Sequence, residues 1–291
     1  MRINFHYRPN HGEMWKKIAA WYSLSESLEL LGELGYSCAV NSNDKCDLTI
    51  YWDSLEYCAL VKKPKSPHFV RLGGWSNYDP PDIYNSLRRA DAVLCVSHRI
   101  QNYADDKWGV KTCYIPRTIN PKYFYPSGVG EGWCYFGTPY NAKGVDILSK
   151  SGLKVSCYGE WSSVNLGNGW LDMEFYLESN LRHGGNISHE YVGDMMRSHK
   201  YFIHLSKKEG QSGAVKEAQA CGLPSVVTDT GDNLEFVTGV VLPVSPTVER
   251  VLSAVKDLES MDYDEMRRKA VESVSCFSPR EIGHLWTKLL S

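Results

Sequence analysis

The sequence predicts an α/β protein made of two doubly wound, Rossmann-like domains. Three observations predict it. Short apolar strand patterns alternate with helical patterns from residue 1 to about residue 120. The alternation pauses once, in PKYFYPSGVGEGW, a Pro- and Gly-rich stretch without periodicity. It then resumes. At 291 residues the chain is long enough for two domains of ordinary size. The expected domains are 1–126 and 127–276, followed by a final helix at about 277–291.

INFHY is a strand, followed by the polar loop RPNHGE. MWKKIAAWYSLSESLELLGELG then places Met14, Ile18, Trp21, Leu24, Leu28 and Leu31 at helical spacing, and Gly35 stops it. SCAVN, CDLTIYW, HFVRL, DAVLCVS and TCYIP read as further strands, with PDIYNSLRRA and HRIQNYADDKW as helices. Past the pause, WCYFG, KVSCYG, YFIHLS and PSVVTD are strands. KGVDILSKSG, YVGDMMRSH and GAVKEAQACG are helices. Residues 162–186 fit the alternation less well and read as irregular. The last helix, SPREIGHLWTKLL, has Ser278 as N-cap, Pro279 in its first turn and Glu281 at capping-box spacing.

Hydrophobic residues make up 43% and charged residues 23%, as in a soluble globular protein. The net charge of -2 argues against a general attraction to nucleic acid. Residues 1–126 carry 16 basic against 13 acidic residues, +3, and the rest 16 against 21, -5. The first half suits an anionic acceptor or peripheral contact with a membrane surface, but ordinary scatter of surface charge is the favoured explanation. The small basic cluster Lys62, Lys63 and Lys65 reads as a solvated face. None of the nine cysteines forms a C-x-x-C, which points to free thiols in a reducing, cytoplasmic compartment. No signal-peptide core is evident, and no run reaches the roughly 20 apolar residues that cross a bilayer.

The stretch EGQSGAVKEAQACGLP (209–224) carries the chemistry. It lies between a strand ending near Ser206 and a helix beginning near Gly213, at the carboxyl end of a parallel strand, where open α/β sheets bind ligands. Gly210 and Gly213 let backbone approach a ligand closely. Gln211 lies between them, and the amides of Ser212, Gly213 and Ala214 form a helix start suited to phosphate. Glu209 precedes the turn and Glu217 lies a turn into the helix. Carboxylates accept hydrogen bonds from vicinal hydroxyls. A phosphate site between two hydroxyl-binding carboxylates describes a nucleotide sugar.

The stretch 209–237 resembles the E-x7-E region of retaining GT-B glycosyltransferases of the family 4 type. Glu209 and Glu217 hold the acidic positions. Ala218, Ala220, Cys221, Gly222 and Pro224 follow in register, as do Gly231 and Glu235. FGTPYNAKGVDIL (136–148) resembles the family's phosphate segment, with Lys143 on its lysine and Thr138 where arginine is usual. VSHRIQNY and GVKTCYIPRTINPKYFYP resemble the end of its N-terminal domain, with Arg117-Thr118 in place of Asn-Gly. RPNHGE occupies the place of its glycine-rich loop, with Gly12 alone.

The resemblance implies an interdomain cleft and a last helix crossing back onto the N-terminal domain. It implies a retaining, metal-independent hexosyltransferase with no cofactor beyond its nucleoside diphosphate sugar substrate, UDP-sugar first. Lys143 and the amides at 212–214 would stabilise the departing diphosphate, Glu217 would hold ribose and Glu209 the transferred sugar. Gly210, Gln211, Gly12, Thr138 and Arg117 complete the expected donor site. Trp75, Gly74 and His11 are the expected acceptor contacts. The acceptor would be a glycan, a lipid-linked glycan or a modified DNA base. Asp105-Asp106 and Asp229 with Asp232 read as a helix surface and a loop rather than a metal site. His6 and His204 lie in strands and read as core residues. Two alternatives stay open: a catalytically degenerate sugar-nucleotide-binding module, and an epimerase or phosphorylase of the same fold.

Overall fold

The computed structural model describes residues 1–7, 19–52, 54–58, 60, 67–73, 85–138, 141–159 and 180–291. The expectations for His11, Gly12, Gly74, Trp75 and the Lys62–Lys65 cluster lie outside these residues. The chain divides into two compact units, one of residues 1–118 with 277–291 and one of residues 119–276.

The first unit holds β1 (Arg2–His6), β2 (Ser37–Val40), β3 (Leu48–Tyr51), β4 (His68–Leu72), β5 (Ala92–Cys95) and β6 (Thr112–Tyr114), with helices α1 (Ala19–Glu33), α2 (Ser54–Cys58) and α3 (His98–Trp108) between them. The strands pair in parallel in the order β2-β1-β3-β4-β5-β6. LTIY and AVLC are buried at every position, as expected for strands covered on both faces, whereas the edge strand SCAV is partly exposed. Helix α1 ends as the sequence predicts. Gly35 takes a left-handed φ of 85°, Tyr36 N donates to Leu31 O and Gly35 N to Gly32 O, closing a Schellman motif.

The second unit holds β7 (Trp133–Phe136), α4 (Val145–Lys150), β8 (Val155–Tyr158), β9 (Leu181–His183), α5 (His189–Arg197), β10 (Tyr201–His204), α6 (Gly213–Ala220), β11 (Ser225–Thr228), α7 (Asn233–Phe236), β12 (Gly239–Leu242), α8 (Val248–Glu259) and α9 (Tyr263–Ser273). Its strands are also parallel, in the order β12-β11-β10-β7-β8-β9. Strand β9 falls inside the stretch that reads as irregular. It has three residues, of which only Leu181 is buried, too short for a period-2 pattern to register.

The last helix, α10 (Pro279–Leu290), belongs to the first unit. Ser278 caps it by accepting from Glu281 N, and Pro279 occupies the first turn, as the sequence predicts. Ile282, Trp286 and Leu290 repeat every four residues and pack with Ile3, Phe5, Leu24 and Leu31 in one core. Trp286 is fully buried there. No helix among the described residues is long and apolar enough to cross a membrane, and all nine cysteines are free thiols.

Candidate active site

In the second sheet the chain runs from β7 outward to β9, then returns to place β10 on the other side of β7 and runs outward again to β12. Strands β7 and β10 are therefore neighbours whose following segments leave in opposite directions. That reversal opens a crevice beyond their carboxyl ends, the usual ligand site of an open α/β sheet. Lys143 follows β7 and Glu209 follows β10.

The two loops are fastened to each other there. Gly144 has a left-handed φ of 71°, and a Cβ at this position would lie 2.0 Å from Leu205 O. Only glycine permits this backbone contact. Ala142 O accepts from Lys207 N at 2.7 Å and from Ser206 Oγ at 3.1 Å. Lys207 Nζ bonds both carboxylate oxygens of Asp146, at 3.0 and 2.8 Å. Lys143 Nζ pairs with Glu209 Oε1. The β10 loop is held from its other side by Thr228 Oγ1, which donates to Ser206 O. Gly231, with a left-handed φ of 56°, would set a Cβ 2.9 Å from Gly210 O.

His204 also reaches Glu209. Its Nε2 lies 3.1 Å from Glu209 Oε1, and its ring stacks on Tyr135 of β7, with centroids 5.7 Å apart and planes at 13°. The Tyr135 hydroxyl donates to Thr138 O at 3.3 Å. The sequence marks His204 only as a strand residue. The signal that it belongs to the site is its position at the strand end five residues before Glu209, which periodicity does not weigh.

Burial opposes ionisation of Glu209, but the Lys143 ammonium and the His204 hydrogen bond outweigh it and hold the carboxyl well below the usual carboxylate range. Burial lowers the His204 pKa against the opposing pull of Glu209, so the imidazole stays neutral near pH 7.

Helix α6 begins at Ser212, whose Oγ accepts from Val215 N. Gly213 and Ala214 form its first turn, where amides lack intrahelical acceptors. Glu217 lies on this helix and is 7% exposed. Its neighbour Lys216 is buried, with Nζ 2.7 Å from Gln211 Oε1. The structure thus gathers Lys143, Glu209, Gln211 and the start of α6 at one end of one sheet. Arg117 lies in the first unit, where its guanidinium meets both oxygens of Glu26 at 3.1 and 3.4 Å in a largely buried pair. His6 sits at the carboxyl end of β1, with its ring against Tyr51.

Residues 132–260 match the family model Glycosyl transferases group 1. An uncharacterized glycosyltransferase of Methanocaldococcus jannaschii is 26% identical over 196 residues, covering 62% of this chain and 54% of that protein. The lipopolysaccharide core biosynthesis mannosyltransferase LpsB of Rhizobium meliloti is 27% identical over 193 residues, covering 58% of this chain and 52% of that protein. The chain spans about half the length of the curated relatives it matches. Among solved structures, sucrose-phosphate synthase from Thermosynechococcus elongatus superposes with a TM-score of 0.80 at 14% identity, covering 100% of this chain and 98% of that one. HepE of Anabaena, solved with UDP and glucose, gives 0.75 at 14% identity, covering 100% and 99%. The fold, two parallel-sheet α/β domains of six strands each, is that of the GT-B glycosyltransferases.

Proposed function

We propose that this chain is a retaining, metal-independent glycosyltransferase of the family 4 type, with Glu209 and Glu217 as its E-x7-E pair. It takes the sugar of a nucleoside diphosphate donor, UDP-sugar first, to an acceptor hydroxyl on a glycan. The observation that carries this reading is the Lys143–Glu209 pair across the β7–β10 reversal, beside the first turn of α6. It puts a cation, a hydroxyl-accepting carboxylate and helix-start amides together. The match of residues 132–260, the mannosyltransferase LpsB and the UDP-bound HepE support the same reading.

In this reading the second unit binds the donor. The bond between anomeric carbon and β-phosphate oxygen breaks, and its electron pair stays on the phosphate. Lys143 and the amides of Gly213 and Ala214 stabilise that charge. Glu217 accepts the ribose hydroxyls and Glu209 a hydroxyl of the sugar. The acceptor oxygen bonds the anomeric carbon on the face the phosphate leaves, and the departing phosphate oxygen takes the acceptor's proton.

The test is UDP release from a panel of UDP-sugars, with and without glycan acceptors and with EDTA present, together with the anomeric proton coupling of the product. Retained configuration, EDTA resistance and loss of turnover by about 10²-fold or more in Lys143→Ala are expected. Binding of UDP with no turnover of any donor would instead make the chain a binding module. An inverted product would overturn the mechanism.

A further inference from the structure

Glu209 uses its two carboxylate oxygens differently. Lys143 Nζ and His204 Nε2 both converge on Oε1. Among the described residues, no hydrogen bond or ion pair reaches Oε2. His204 is 2% exposed and its ring lies flat against Tyr135, so it is fixed in orientation.

The tautomer follows from the partner. An ionised carboxylate only accepts, so the ring nitrogen 3.1 Å away carries the proton. In the neutral ring Nδ1 is then a bare acceptor. It is buried and has no hydrogen-bond partner among the described residues. A buried acceptor left unsatisfied is unfavourable, and a phenylalanine would fill the stack without that penalty. The feature of His204 that an apolar ring lacks, and that meets a partner here, is the Nε2–H on Glu209.

We infer that His204 is a positioning residue for the proposed transfer: together with Lys143 it ties down Oε1, leaving Oε2 as the oxygen that accepts a hydroxyl of the transferred sugar. This rests on the proposed function. Lys143 supplies the countercharge, but an ammonium on a flexible stem fixes position poorly. The stacked imidazole adds a second, directional donor at the same oxygen and so sets the carboxylate's rotation.

The test combines two variants with a spectrum that needs no turnover. His204→Phe keeps the aromatic stack and removes the donor; His204→Gln restores an N–H near the Nε2 position. In His204→Phe, kcat for donor turnover is expected to fall by about 10²-fold, as displacement of a positioning contact does, while UDP affinity stays within about twofold of the wild type. His204→Gln is expected to recover about tenfold of that loss. A donor deoxygenated at the hydroxyl that Glu209 accepts is expected to be turned over equally by the wild type and His204→Phe. Imidazole ¹⁵N shifts of the full chain are expected to show His204 as the neutral Nε2–H tautomer and to move in Glu209→Gln. Wild-type kcat in His204→Phe, equal losses in both variants with UDP affinity falling alongside, or an Nδ1–H tautomer would overturn the role. A wild type that turns over no donor, with the Nε2–H signal present, overturns the proposed function and the role resting on it, not the contact.

Discussion

Lys143 and Glu209 are joined by an ion pair although 66 residues separate them in sequence. Asp146, in the first turn of α4, and Lys207 are joined in the reverse sense between the same two segments. The segments after β7 and after β10 therefore each contribute one cation and one anion, and the β7–β10 reversal is clasped by charge before any ligand arrives. A diphosphate entering here meets a lysine already shared with a carboxylate.

Glu209→Gln is accordingly expected to separate binding from turnover. Removing the carboxylate's charge leaves more of the Lys143 field for phosphate, so UDP affinity should rise by about threefold to tenfold. Turnover of the sugar donor should fall by about 10²-fold. Calorimetric titration with UDP and a UDP-release assay measure the two effects. Weaker UDP binding in the variant would mean that Glu209 does not compete with phosphate for Lys143.

The same pair makes stability depend on acid. Glu209 titrates below its ordinary value of 4.5 in the folded chain. The unfolded chain therefore binds the proton first, and the stabilisation, complete above about pH 4.5, is lost as the pH falls through the acid range below it. His204 acts in the same direction. Its folded pKa lies below its ordinary 6.5, so stability also declines as the pH drops below about 6.5. Urea unfolding from pH 7 to pH 3 should show a shallower acid loss in Glu209→Gln than in the wild type. Parallel curves would show that the pair is not coupled to folding.

Gly144→Ala should be one of the most damaging methyl additions in the second unit. It combines a left-handed φ with a Cβ 2.0 Å from Leu205 O, which is backbone and cannot swing aside. A loss of about 3 kcal/mol or more is expected. Gly152→Ala is the control: its φ is likewise left-handed at 71°, but nothing lies within 4 Å of its Cβ. It should lose only about 1 kcal/mol. Equal losses in denaturant would mean that conformational strain, not the closeness of the two loops, decides the outcome.

Trp286→Ala should destabilise the first unit by about 3–5 kcal/mol, because the side chain is fully buried among Ile3, Leu24 and Leu31. Amide exchange is the measurement. Protection should fall in β1, β3 and α1, although the substitution lies at the far end of the sequence. Unchanged exchange in β1 would show that the C-terminal helix does not support that core.

Much of the fold was legible because parallel strands buried on both faces write short apolar runs, as in LTIY, AVLC and WCYF. Helix ends were legible where a cap carries its own chemistry, as at Gly35 and Ser278. Strand β9 was not, because LRH buries a single side chain and owes its place in the sheet to pairing with β8. GVVL and the helix after it continue the strand–helix alternation as β12 and α8, and α9 departs from it by following a helix directly.

Glu209 and Glu217 were legible as candidates from spacing and local glycine chemistry, since a turn that admits a ligand must be written in the residues of the turn itself, whereas Lys143 was a candidate only through the resemblance of residues 136–148. His204 was not, since one histidine in a buried strand reads as core until its neighbours are known. The pairing of Arg117, a phosphate candidate through the resemblance, with Glu26, 91 residues away, was likewise not legible in the sequence. The sequence by itself determined which segments become strands and helices and which turn carries acidic, glycine-rich chemistry, because those properties depend on neighbours within a few residues. Only the tertiary structure decided that β10 returns beside β7, that Glu209 takes Lys143 and His204 on a single oxygen, and that the last helix completes the core of the first unit. These pairings join distant segments, and strand order, which no local pattern encodes, selects them.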